Sequence, residues 1–272
     1  MERFALWTLP ALFALLWGCN ADSRQLLEQA EARWREGDYE DAVRLNLLLH
    51  DRDPSGRYGA QALMNLGNIY YLNLRQLGKA IEMYQKLAAE RPGTPDEFKA
   101  REKLAEIHAN EIGDLTQAVC EYEKILAWKG LDNSAEIRMQ MANAYFKLGD
   151  YDQALRELRR VEEQGTAGHT ADQARLKIGN IYQIRKRYQD ALEPFQKVTG
   201  SPCVECRRRA LLNLMETYEA LYDFDRAIET VRRLDPTREN ERRIKAEVAR
   251  LSSKREQIDS GQVLIWEPHS SH

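Results

Sequence analysis

The sequence predicts an all-α fold: a solenoid of stacked helix-turn-helix units closed by a C-terminal helix. Three observations predict it. The first is a ladder of short motifs: "AEAR" at Ala30, "GNIY" at Gly67, "AEIH" at Ala105, "ANAY" at Ala142, "GNIY" again at Gly179 and "METY" at Met215, in steps of 37, 38, 37, 37 and 36 residues. The second is an alanine ladder, Ala42, Ala80, Ala118, Ala154, Ala191 and Ala227, in steps of 38, 38, 36, 37 and 36. Two ladders sharing one step define a tandem repeat. The third is the spacing inside a unit. Leu63, Leu66, Gly67 and Tyr70 fall at i, i+3, i+4 and i+7, and after a break at Leu77–Gly78, Ala80, Tyr84 and Leu87 form a second helical stripe closed by Pro92. Helices this short cannot each bury a face alone, so each pair must stack on the next.

The chain begins with "MERFALWTLPALFALLWGC", a short polar start followed by fifteen uncharged residues, Phe4 to Gly18. That run is too short for a comfortable transmembrane span and suits the core of a signal peptide. Its end, "LWGC", resembles the lipobox of bacterial lipoproteins through Leu16, Gly18 and Cys19. The resemblance implies removal of residues 1–18, a lipid on Cys19, a short anchored linker over residues 19–22, and, with Asn rather than Asp at position 20, an outer-membrane destination facing the periplasm. The alternative is an ordinary secretion signal with an incidental Cys19. Several acyl chains, at about 0.8 kcal/mol per buried CH₂, hold a protein on a bilayer stably.

Residues 23–236 then read as six repeats. The order within a unit (Leu-Gly-x-x-Tyr, then Ala, then a large apolar residue, then Pro) is similar to the tetratricopeptide repeat, and "GDYEDA" at Gly37–Ala42, "GDYDQA" at Gly149–Ala154 and "KRYQDA" at Lys186–Ala191 match that family's inter-helix turn. The resemblance implies a right-handed superhelix. Three departures are visible: Met215 stands at a small-residue position, Asn46 at a large apolar one, and repeats two and three carry one extra residue, expected in their turns. Residues 237–258 follow with Ile244, Val248 and Leu251 on one stripe, the capping helix a solenoid end needs. Residues 259–272, containing "VLIW", form a tail.

Composition excludes some functions. The net charge is −3, and residues 201–272 carry thirteen Lys/Arg against thirteen Asp/Glu, so "RRR" at Arg207–Arg209 reads as a solvated face and not a nucleic-acid site. The five histidines show no catalytic or ligand spacing, and no phosphate-cradling glycine loop or nucleophile elbow is present. No enzyme activity, cofactor, metal or small-molecule substrate is expected. "CVEC" at Cys203–Cys206 is the one chemical candidate. Zinc would need a second pair of ligands, which the sequence does not offer, and a thioredoxin-like role would need a βαβ setting. A local disulfide is expected, with a thiol-redox protein as the rival reading.

Function therefore rests on surface presentation. One residue on from the core stripe lie Trp34 in repeat one; Met64, Asn68 and Tyr71 in repeat two; Met139, Asn143 and Phe146 in repeat four; and Asn180 in repeat five. In tetratricopeptide proteins this face lines the concave groove that holds extended peptides. The lysine clamp for acidic C-termini is missing, because Met64, Met139 and Leu176 occupy its positions, and Glu31 and Glu106 disfavour acidic partners. A lipobox followed by such repeats is similar in layout to the lipoprotein subunit of the outer-membrane β-barrel assembly machine, and also to cell-division coordinators and type IV pilus pilotins. The expectation is a non-enzymatic scaffold that is membrane-held by its lipid and binds a protein or peptide partner.

Overall fold

The computed structural model describes residues 8–128, 134–164, 168–234 and 241–261, with side chains from Asp22 onward. Those residues are all helix and turn, and the chain divides after Asp132 into two compact units. The first unit holds three hairpins: α1 (Thr8–Glu36) with α2 (Tyr39–Arg52), α3 (Arg57–Asn68) with α4 (Leu77–Glu90), and α5 (Pro95–Glu106) with α6 (Leu115–Leu126). The second holds α7 (Ser134–Leu148) with α8 (Tyr151–Glu163), α9 (His169–Ile184) with α10 (Tyr188–Val198), α11 (Val204–Ala220) with α12 (Phe224–Arg232), and the single helix α13 (Glu241–Asp259). Within each unit every hairpin packs on the next. Among the described residues no helix is long and apolar enough to cross a membrane. The expected signal peptide, Cys19 and the anchored linker up to Ala21 lie outside the residues whose side chains are described, as does the tail from residue 262; the backbone of Thr8–Ala21 runs on as part of α1.

The ladders are the cores of these units. All six ladder alanines, Ala42 to Ala227, are fully buried. Opposite them, large side chains four residues on close the hairpins: Tyr84, Tyr122, Leu158, Phe195 and Val231 are buried. Gly67 and Gly179 are glycine for a packing reason. A Cβ on Gly67 would stand 2.4 Å from Tyr84 Cε1, and one on Gly179 would stand 2.4 Å from Phe195 Cε1. Asn46, in the apolar position of repeat one, is buried but satisfied: its amide donates to the Ala42 carbonyl at 2.8 Å, and its oxygen accepts from Asn65 at 3.4 Å.

Turn chemistry repeats as well. The residue ending each first helix is left-handed in all six repeats: Gly37, Arg75, Gly113, Gly149, Lys186 and Tyr222, with φ between 53° and 83°. Glycine takes that conformation without cost. Arg75, Lys186 and Tyr222 take it with strain. Asp38, Asp114, Asp150 and Asp223 then cap the second helices, each accepting from the backbone N–H three residues on.

The extra residue of repeats two and three is not in their turns. It is absorbed one turn earlier, where Ile69–Asn73 and Ile107–Ile112 run on from α3 and α5 as π-helical turns. A π-helical turn accommodates one added residue without breaking the helix. At the C-terminus, α13 starts at Glu241 among the described residues. It places Leu251 fully in the second unit's core, with Ile244 and Val248 against it, as a capping helix should.

Candidate functional site

In the first unit the expected groove residues are mostly occupied. The Trp34 indole donates to Asn73 Oδ1 at 2.8 Å. Met64 packs against the core, and Asn68 accepts from the buried Tyr84 hydroxyl at 2.7 Å. Tyr71 is a correction. It is 5% exposed, and its hydroxyl donates to Glu111 at 3.1 Å. Burial, reinforced by Glu111 and Glu106, pushes its pKa up to about 12. The cause is the π-helical turn: one added residue rotates every later position by about 100°, so Tyr71 is not equivalent to Trp34 or Phe146 and turns into the protein.

In the second unit Met139 is also a correction. It is 7% exposed and joins Ala142 and Leu176 in the core. The first helices of successive repeats lie side by side there, α7 against α9. The later turns remain open. Asn143, Phe146 and Asn180 come together around a pocket of about 160 Å³, with Ala142, Leu158 and Ile181 on its floor and Lys177 as a fourth polar or aromatic wall. Phe146 is 38% exposed and meets Tyr151 edge to face at 5.5 Å. Asn180 accepts from Asn213 at 2.7 Å, which leaves its amide N–H₂ group for the pocket. The Asn143 amide and the Lys177 ammonium make no hydrogen bond or ion pair among the described residues. Burial, and then Arg209 nearby, lower the Lys177 pKa. An acceptor entering the pocket would give both donors a partner.

Lys177 was missed by sequence reasoning because the clamp pattern places its cation four residues before the asparagine. Here the lysine stands three before Asn180, and i, i+3 is an equally good helical neighbour.

Cys203 and Cys206 are joined in a disulfide, at the start of α11. No motif or spacing in the chain connects them with His169, which opens α9. The hairpin brings its Nδ1 to 3.2 Å from Cys206 Sγ and 3.5 Å from Cys203 Sγ. Cys120 is a free, partly exposed thiol in the other unit.

A family model described as Tetratricopeptide repeat matches residues 27–93, 69–135 and 139–202, together more than half of the chain. No relative is found among curated proteins. Among solved structures, a tetratricopeptide repeat protein from Parabacteroides merdae is 18% identical with a TM-score of 0.54, over 88% of this chain and 87% of that one. Pseudomonas aeruginosa pilF is 13% identical with a TM-score of 0.51, over 87% of this chain and 99% of that one. YrrB, a TPR protein with an unusual peptide-binding site, is 17% identical with a TM-score of 0.51, over 70% and 90%. At such identities the likeness is one of fold.

Proposed function

We propose that this chain, which belongs to the tetratricopeptide repeat family, is a non-enzymatic scaffold that holds an extended segment of a partner protein at the pocket of α7 and α9. The observation that carries the reading is the pairing of an apolar wall, Phe146, with two donors that have no partner among the described residues, Asn143 and Lys177. An extended peptide offers what these groups lack: backbone carbonyls for the amide and the ammonium, and an apolar side chain for the ring. Lys177 adds a preference for a carboxylate near the seated residue, against the acid-averse character that Glu31 and Glu106 give the first unit. A peptide-binding site in YrrB, which shares the fold, supports this use of the repeat.

The proposal extends to location. "LWGC" after an apolar run supports acylation of Cys19 and residence on the outer membrane, where a repeat scaffold would serve an assembly complex such as the β-barrel assembly machine. Growth with a labelled fatty acid tests the anchor. Label is expected on the wild type and not on Cys19→Ser, and equal labelling would end that part. The partner is tested by affinity capture from solubilised envelopes with the wild type and the Asn143→Ala/Lys177→Met variant. A protein held by the first and lost by the second is expected. Equal capture by both would refute the pocket as the binding site.

A further inference from the structure

We infer that His169, Cys203 and Cys206 form a binding site for a thiophilic d¹⁰ metal ion, Zn²⁺ being the ion to test, available when the Cys203–Cys206 disulfide is reduced. Their ligand atoms all lie within 4.8 Å of one another. Ions with bonds of about 2.0–2.1 Å to nitrogen and 2.3 Å to sulfur hold tetrahedral ligands roughly 3.5–3.8 Å apart. His169 Nδ1 already stands 3.2 Å and 3.5 Å from the two sulfurs. Once the sulfur–sulfur bond is opened, a rotation of the cysteine side chains completes the geometry. The two cysteines have the C-x₂-C spacing of a chelating pair at a helix start, and the Cys203 sulfur accepts the Cys206 N–H at 3.2 Å, which fixes its position at the turn.

The surroundings are those of a supported site. The Gln173 side-chain amide lies 2.6 Å from His169 Nε2. The atom placed there is the amide nitrogen; turned over when an ion binds, the amide would accept the Nε2 proton through its oxygen and leave the Nδ1 lone pair for the metal. Ser201 accepts the Cys203 N–H at 3.1 Å and donates to the buried Asp172 of α9, so the cysteine turn is tied to the helix that carries the histidine. His169 is exposed and Cys203 half-buried, which gives an ion its entry. Three protein ligands leave a fourth position for water or a partner's group.

Disulfide and metal are mutually exclusive states of the same sulfurs. A dithiol reductant supplies two electrons and two protons, yields two thiols, and itself becomes a disulfide. Zn²⁺ then displaces the two thiol protons to solvent with no further electron transfer. The disulfide closes a loop with only two intervening residues, where the chain-entropy gain is smallest. The site would therefore report the redox state of its surroundings.

The test uses the full chain, reduced with a phosphine, freed of reductant under inert gas, and titrated with Zn²⁺ against a chromophoric chelator. One ion per chain is expected for the reduced wild type and none for the oxidised protein. Co²⁺ in place of Zn²⁺ should show thiolate charge-transfer absorption. His169→Ala and Gln173→Leu should each weaken binding about tenfold or more with unchanged helical circular dichroism. Three results would each overturn the assignment: no Zn²⁺ retained by the reduced wild type, His169→Ala binding as tightly as the wild type, or binding that survives Cys203→Ser/Cys206→Ser and so belongs to Cys19 or Cys120.

Discussion

Replacing Gly179 by alanine puts the repeat packing to a quantitative test. The added Cβ would stand 2.4, 2.5 and 2.8 Å from Cε1, Cζ and Cδ1 of Phe195, whose ring is fully buried. Ordinary carbon contacts begin near 3.4 Å, so the ring must retreat by roughly 1 Å into a close-packed core. Such overpacking costs about 1–3 kcal/mol, and the rigid ring and fixed backbone place this site at the upper end. Alanine returns about 1 kcal/mol of helix propensity over glycine. The net expectation is a loss of about 2 kcal/mol, seen as a thermal midpoint roughly 4–8 °C lower by circular dichroism on the full chain. The neighbouring repeat supplies the rescue: Ala142 faces a hairpin closed by Leu158, the equivalents of Gly179 and Phe195. Gly179→Ala/Phe195→Leu should therefore be more stable than the sum of its single variants by about 1 kcal/mol or more. A Gly179→Ala protein that melts at or above the wild-type midpoint would refute the packing argument.

Other perturbations probe the same geometry. Lys186→Gly removes a left-handed lysine with φ of 57° and should raise stability by about 1 kcal/mol in urea denaturation; an unchanged midpoint would show the turn to be unstrained. Glu157 is buried between Arg138, at 2.6 Å, and Arg160, so Glu157→Ala leaves a half-buried guanidinium unpaired and should cost about 3 kcal/mol by the same assay. Glu219 holds α13 through Arg250 and Lys254, and the hydrogen bond from Arg250 above all lowers its pKa to about 2 from an ordinary 4.5. Because the folded pKa is the depressed one, the stabilisation is present above pH 4.5 and is lost as pH falls towards 2. With Arg250 40% exposed, solvent screening limits it to about 1 kcal/mol. Hydrogen exchange in α13 should then rise over that window in the wild type but be pH-flat, relative to neighbouring helices, in Glu219→Gln. Parallel profiles would contradict it.

The repeat is legible in the sequence because its two ladders record a steric fact: small residues must recur wherever a large side chain closes a hairpin. Gly67 against Tyr84 and Gly179 against Phe195 are the two tightest instances of it. Asn46 was visible as an exception, but its partner Asn65 lies on another helix and was not. The site was less legible. Counting from the ladder placed Asn143, Phe146 and Asn180 together, yet the same count failed for Tyr71, because the position of the extra residue decides which face every later residue takes. Met139 failed for a different reason: whether an off-stripe residue is open depends on how the next hairpin covers it. Lys177 and His169 join their sites through helix-to-helix approach, which a periodic pattern does not encode.

The central claim is that a partner segment sits in the pocket of Asn143, Phe146, Lys177 and Asn180. It is tested most directly by titrating the partner recovered by envelope capture against the wild type, Asn143→Ala and Phe146→Ala, with melting curves on the same samples. Asn143→Ala should weaken binding by about 0.5–1.5 kcal/mol, the net value of one hydrogen bond. Phe146→Ala should weaken it by about 2 kcal/mol as an aromatic anchor. Both should melt near the wild type, since Phe146 is 38% exposed and the Asn143 amide is unpaired among the described residues. A Phe146→Ala protein that melts early while each folded molecule binds the partner as before would make Phe146 part of the packing and contradict the account.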